Sequence, residues 1–295
     1  MAHGERLGVL GVGRMGAPIA RNLATAGFDV TVYDLDPTRC AGTRSAVAVS
    51  DAQLAELSDI LITVLPGIAE IEAAMIGPRP LVESMRPGSL WLDLTSNDPR
   101  VARAIAERAS ARGVDSVGAP MAGGADAAEN GSLRFYAGGA PSAIDRARPV
   151  LAVVGSIEQL GTAMEAGYVA KLLANLLWFG QAVAVTEALL LGQALGLSPT
   201  VLRGQLSTSA GGSVFIDEYL DHLLDGDYLE SFGIDRCVEE LETLVSLARG
   251  ADVPFELSTT VERIHRDALG RFGAIDGELL GARLLEERAG RTLRR

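Results

Sequence analysis

The sequence predicts an α/β fold in two parts: a doubly wound parallel sheet, then an all-helical segment opened by one long helix. Three observations carry this. Short apolar strand patterns alternate with helix patterns from Leu7 to Gly161, the signature of a parallel sheet wrapped by helices. A glycine-rich turn, Gly11–Gly16, lies between the first strand pattern and the first helix pattern. After Gly161 strand signals cease, and 172–195 is apolar on nearly every face, as a buried core or interface helix is. The expected domains are 1–162 and 163–295.

In order, LGVLGV (7–12) reads as a buried strand, and the helix pattern after it stops at Gly27, a C-cap signal. FDVTVYD is a second strand ending at Asp34. Strands follow at 59–65, closed by Pro66-Gly67, and at 89–96, before a helix with Asp98 as N-cap and Pro99 in its first turn. LRFYAG, a helix from Pro141 and the short strand SIEQLG complete the alternation.

The bulk numbers bound the function. The chain has 295 residues, 48% hydrophobic, and a net charge of −12. Such charge works against nucleic acid or an anionic membrane surface as partner, and the polar interruptions of 172–195 argue against a membrane span. Cys40 and Cys237 make no disulfide framework, so a reducing, cytoplasmic setting is expected. No signal-peptide core precedes the first strand. His3, His222 and His265 are scattered, and no metal site is expected.

The turn Gly11-Val12-Gly13-Arg14-Met15-Gly16 is G-x-G-x-x-G in context, with a strand before it, a helix after it and an acid, Asp34, at the end of the next strand. This predicts a Rossmann-type dinucleotide site. Gly11 permits the turn, Gly13 lets the backbone approach a pyrophosphate, and Gly16 allows helix and strand to pack closely. Asp34 would accept from the adenosine ribose and repel a 2′-phosphate. Leu35 follows it where an arginine would hold that phosphate, so NAD is favoured over NADP. Arg14 and Arg39 keep NADP open.

One lysine stands in the whole chain, Lys171; the other 25 of the 26 basic residues are arginine. An ammonium can release its proton when buried, whereas a guanidinium stays charged. Lys171 opens the apolar run, and Asn175 lies one turn on along the same helical face. The plainer reading is a lone surface lysine.

These residues resemble the β-hydroxyacid dehydrogenases, the family that includes 3-hydroxyisobutyrate dehydrogenase and tartronate semialdehyde reductase. The marks are GVGRMGAPIARNL, Leu65-Pro66 after the third strand, LDLTSNDP, GAPMAGG, NGSLRFYAGG and GYVAKLLAN, spread over essentially the whole chain. The resemblance implies Lys171 as general acid/base and Asn175 as its neighbour positioning the substrate. It implies Ser96, with Thr95, at the hydroxyl position touching cofactor and substrate, Leu65 and Pro66 at the cofactor, and Gly123-Gly124 facing a substrate carboxylate. It also implies a homodimer or larger assembly through the helical domain. Two positions depart. The loop serine of the family is Ala122 here, and a lysine expected near cofactor and substrate is Glu239, followed by Glu240. A carboxylate beside an unpaired, poorly solvated Glu costs on the order of one to several kcal/mol, so either Glu239 points to solvent on a helix and the family lysine is not essential, or the substrate is small and not a simple carboxylate. Two other readings compete: an imine reductase, which shares this fold, and a cofactor-binding protein without turnover. Trp178 and Phe215 read as core or pocket wall; Tyr168, three positions before Lys171 and on its face, reads as a packed tyrosine or a proton donor. Asp276 and Glu278 read as N-caps of the last helix, with Glu278 a minor candidate for substrate contact.

Overall fold

The computed structural model describes residues 4–230 and 232–295; His3 lies outside them. Two compact units, 1–171 and 172–295, divide inside the longest helix.

In unit 1 the chain runs β1 (Arg6–Leu10), α1 (Gly16–Thr25), β2 (Asp29–Tyr33), β3 (Ala46–Val47), α2 (Asp51–Leu57), β4 (Ile60–Thr63), α3 (Ile68–Ile76), β5 (Leu90–Asp93) and α4 (Pro99–Ser110). It continues with β6 (Asp115–Gly118), β7 (Met121–Ala122), α5 (Gly124–Asn130), β8 (Leu133–Gly139), α6 (Pro141–Val154) and β9 (Gly155–Gly161). The sheet order is β3-β2-β1-β4-β5-β6-β8-β7, with β9 also on β8. Strands β4 and β5 are buried along their length, as central strands covered on both faces must be. One face packs under α1 and α6, with Leu7, Val9, Ile19, Leu23, Ile62 and Leu92 among its core residues. The other packs under α2, α3 and α4 around Leu54, Ile71, Trp91 and Ile105.

The strands are parallel from β3 across to β6, but β8 runs antiparallel to both β6 and β7. The parallel reading of the whole alternation therefore stops at β6. A parallel return needs a crossover of about a dozen residues or more. Here the chain turns back through α5 instead, and both β6 and β7 pair antiparallel with β8; α6 then brings β9 back parallel to β8.

Helix α7 (Glu165–Ala194) begins in unit 1. By length and composition it is long and apolar enough to cross a membrane, with 39% of its most apolar window buried. Unit 2 continues with α8 (Pro199–Ser207), a π turn at Phe215–Tyr219, α9 (Leu220–Asp225), α10 (Ile234–Gly250), α11 (Glu256–Phe272) and α12 (Leu280–Ala289). Its core joins Leu172, Leu176, Phe179 and Val183 to α10, α11 and α12. Trp178 meets Phe215 edge to face at 5.8 Å; Phe215 is fully buried and belongs to the core, and Trp178, partly buried, packs against it. The capping reading at α12 needs correction. Its N-cap is Leu279, with no side-chain hydrogen bond. Asp276 instead forms a β-bridge with Gly233, and the Glu278 amide donates to the Leu229 carbonyl.

Candidate active site

Strand order reverses around β1, which lies between β2 and β4. In open α/β sheets ligands bind beyond the carboxyl ends of the strands at such a point. The turn after β1 is shaped for close approach. Gly11 has φ +88°, and a Cβ there would sit 2.4 Å from the Val64 carbonyl oxygen. A Cβ on Gly16 would lie 1.9 Å from the Gly11 carbonyl oxygen. Gly13 differs, since a Cβ there would meet nothing nearer than Arg39 Nη1 at 3.7 Å. Two glycines are thus required by the protein's own packing, and the third leaves a space beside the turn. That is the arrangement a pyrophosphate needs, and the residues fit a dinucleotide.

Asp34, past the end of β2, is fixed from both sides. The Val12 amide donates to Oδ2 at 2.9 Å, and the Asp36 amide donates to Oδ1 at 2.9 Å. Arg39 lies 3.9 Å from Oδ1 and 3.5 Å from Asp36. Val12 is buried, Arg14 is exposed and Met15 half-buried. Leu35 is 90% exposed.

Past β4 and β5 stand Leu65, Pro66, Thr95 and Ser96. The Leu65 amide donates to Thr95 Oγ1 at 3.1 Å. Thr95 is buried and its hydroxyl is turned to the protein, whereas Ser96 is partly accessible. The structure therefore divides the predicted hydroxyl pair: Thr95 braces the loop and Ser96 is the one open to a ligand. Beneath them lies Asp93, fully buried, with hydroxyl and amide donors on both oxygens. Burial pushes its carboxyl pKa up, against the lowering effect of the Thr63, Thr95 and Tyr168 hydrogen bonds. Tyr168 is buried as well, and desolvation beside Asp93 raises its phenol pKa well above the ordinary value. Gly123 and Gly124 both have positive φ, 120° and 69°, and are exposed beside the half-buried Ala122.

Lys171, in α7, is 9% exposed. In unit 2, Asn175 Nδ2 donates to Glu240 Oε2 at 2.6 Å, and Glu240 is buried in α10.

The comparisons fit this geometry. Residues 6–167 match the model described as the NAD-binding domain of 6-phosphogluconate dehydrogenase. Residues 165–279 match the one described as NAD-binding of NADP-dependent 3-hydroxyisobutyrate dehydrogenase. The chain is 31% identical to L-threonate dehydrogenase of Cupriavidus necator, over 88% of this chain and 89% of that protein. It is also 31% identical to the mitochondrial 3-hydroxyisobutyrate dehydrogenase of Bos taurus, over 90% and 82%. The chain belongs to the β-hydroxyacid dehydrogenase family. It is an NAD(P)-dependent oxidoreductase acting on CH–OH groups of a small molecule. A solved 3-hydroxyisobutyrate dehydrogenase of Mycobacterium tuberculosis with L-serine is 25% identical, covering 96% of this chain and 99% of that one, with a TM-score of 0.86. An imine reductase of Myxococcus stipitatus, 19% identical at a TM-score of 0.63, shares the fold.

For a member of this family two placements are unexpected. Glu239, which the sequence suggested at the substrate, is half-buried and accepts from Arg236 Nη1 at 3.1 Å on its own helix. The acid that the structure brings to Asn175 is Glu240. Its signal was present in the sequence: Glu240 shares the apolar face of α10 with Cys237, Leu241 and Leu244, all buried, and an acid on a core face needs a partner. Asp93 carried the same kind of signal, as the one charged residue of the buried strand LWLD.

Proposed function

We propose that the chain oxidises the hydroxyl carbon of a small hydroxy acid with NAD as the preferred cofactor, using Lys171 as the acid/base group. The observation that carries this is the burial of Lys171, the only lysine of the chain, one turn before an asparagine held by a buried carboxylate. When bound, the nicotinamide supplies the hydride acceptor. Lys171 takes the proton of the hydroxyl as the hydride leaves its carbon, and returns it in the reverse direction. Asn175 orients the substrate, with its amide fixed by Glu240. Ser96 offers a hydroxyl, and the backbone of Gly123-Gly124 receives the carboxylate that Ala122 no longer grips. Because Glu239 is paired with Arg236, which Asp235 shares at 3.7 Å, it is not an unpaired acid and the electrostatic argument against a carboxylate substrate weakens. The named relatives act on L-threonate, 3-hydroxyisobutyrate and 2-(hydroxymethyl)glutarate, which supports a hydroxy acid.

The preference for NAD rests on Asp34. A carboxylate tied by two backbone amides cannot swing away from an incoming 2′-phosphate. A panel of hydroxy acids and cyclic imines, assayed with NAD and NADP, tests both points. Turnover of imines but not of hydroxy acids, or activity surviving Lys171→Met within a few-fold, refutes the proposal.

We also infer self-association. Leu173, Leu177, Leu191 and Leu195 of α7 and the residue after it are 43%, 65%, 63% and 75% exposed, and an apolar stripe of this length calls for a partner. A second copy of the chain is the proposed occupant, and a monomer at micromolar concentration by light scattering refutes it. The buried free thiols Cys40 and Cys237 suit the reducing cytoplasm that belongs to the same proposal.

A further inference from the structure

We propose that Asp93 is a positioning residue of the active site, whose buried carboxylate fastens the loop after β4, the loop after β5 and the first turns of α7 to one another. The role rests on the reading of Ser96 and Lys171 given above. Oδ1 accepts from the Thr63 hydroxyl at 2.8 Å and the Thr95 amide at 3.0 Å. Oδ2 accepts from the Tyr168 hydroxyl at 2.8 Å and from Asn97 Nδ2 at 3.2 Å. The reach extends one bond further on the sheet side. Trp91 Nε1 donates to the Thr63 hydroxyl at 3.0 Å, and the Thr95 hydroxyl accepts from the Leu65 amide. One carboxylate therefore links Leu65, the residues on both sides of Ser96, and the helical turn that ends at Lys171.

The helix is brought down to it by design of the sheet. A Cβ on Gly118 would lie 2.6 Å from the Tyr168 ring, one on Gly138 2.5 Å from the Ala163 carbonyl oxygen, and one on Gly167 2.1 Å from the Tyr136 carbonyl oxygen. Three glycines clear the ground on which α7 starts, and Tyr168 spans the remaining gap. A chain that needed only a stable core at this place would do as well with an apolar residue at position 93, because burying a carboxylate gains little over hydrophobic packing. What the carboxylate adds is direction: four donors must point at it, and three of the four belong to site-bearing segments. The raised phenol pKa keeps the proton on Tyr168, which therefore donates.

Tyr168→Phe, Asp93→Asn and Lys171→Met test the role, read by thermal melting, NADH affinity from fluorescence titration, and kcat and KM separately. Tyr168→Phe keeps the ring and loses one bond. The expected result is a folded protein with NADH affinity and KM within about threefold of the unchanged chain and kcat lower by about tenfold or more, the pattern of a misplaced acid/base group. Asp93→Asn should retain most of kcat, its new amide donating to the Tyr168 hydroxyl and to Asn97 in place of the bonds Oδ2 accepted. Asn97 Oδ1 is buried with no hydrogen-bond partner, so it can turn to accept from the new amide. If both variants only lower the melting temperature and leave kcat, KM and NADH affinity within about twofold, the cluster is structural and the proposal is overturned. Should the Asp93 variant fail to fold, Tyr168→Phe decides alone. Lys171→Met separates the two levels: normal turnover there refutes the proposed function itself. An inactive Lys171→Met beside an unaffected Tyr168→Phe refutes only the role of Asp93.

Discussion

The glycine turn gives the sharpest prediction, because its three glycines look alike in sequence and differ in what surrounds them. Consider Gly13→Ala and Gly16→Ala side by side. At Gly16 the new methyl would sit 1.9 Å from the Gly11 carbonyl oxygen and 3.4 Å from Val64 Cβ. The oxygen is backbone, so α1 must shift away by roughly 1 Å to restore contact distance. Overpacking of this kind costs about 1–3 kcal/mol, which in a chain of this size lowers the melting temperature by about 2–4 °C for each kcal/mol. At Gly13 the nearest atom is Arg39 Nη1 at 3.7 Å, an ordinary contact, and no positive φ is needed. Stability there should hold or rise by about 0.4–1 kcal/mol, through the lower entropy of the unfolded chain. The space the methyl takes is the one assigned to the pyrophosphate, so NADH should bind at least about tenfold more weakly, equivalent to about 1.4 kcal/mol. Thermal melts and NADH fluorescence titrations of both variants give the answer. A Gly13→Ala protein that binds NADH as before removes the turn from the cofactor site. A Gly16→Ala protein that melts unchanged shows that the packing argument is wrong.

Three further outcomes are expected. His265 is 1% exposed, donates from Nδ1 to the Val261 carbonyl at 2.9 Å and packs at a tilt against Phe179; burial pushes its pKa below the ordinary 6.5. The unfolded chain then binds the proton first, so this contribution to stability is present above about pH 6.5 and is lost as pH falls through and below that value. Urea unfolding at about pH 5 and pH 8 should show that loss, and His265→Leu should flatten it; an unchanged slope contradicts the assignment. Gly167→Ala would put a methyl 2.1 Å from the Tyr136 carbonyl oxygen and should cost about 2–4 kcal/mol or prevent folding, as read by expression and melting. Ala122→Ser should raise kcat/KM for a hydroxy acid by about tenfold, the worth of one hydrogen bond to a charged group, and leave NADH affinity unchanged; no gain on any hydroxy acid would mean that the carboxylate does not lie at this loop.

The fold was legible where the physics is local. Buried parallel strands read as apolar runs, and Gly11, Gly27 and Asp98 announce a turn, a helix end and a cap through their own backbone needs. The same local reading singled out Lys171, Asn175, Asp34 and the glycine turn as candidates. It failed where a side chain's role depends on something distant in sequence. The turn back at β8 depends on pairing with β6 and β7 rather than on any feature of LRFYAGG itself. Asp276 beside a helix looks like a cap until Gly233 takes it into a bridge.

The acids show the limit most clearly. Glu239 drew attention because it stands where a lysine was expected, yet that inference concerned only its charge. The structure supplies Arg236 one turn back on the same helix, and a matched charge at a half-exposed place exerts little force on a substrate. Glu240 was noted only as the residue after Glu239 and Asp93 not at all, although each is an acid on a surface that the hydrophobic pattern marks as core. For such a residue the pattern is itself the evidence. A buried carboxylate persists only with donors around it, and the donors found here, Asn175 for one and Thr63, Thr95, Asn97 and Tyr168 for the other, include or adjoin the residues assigned to catalysis. An acid that breaks the apolar period is therefore the kind that mutation should address first.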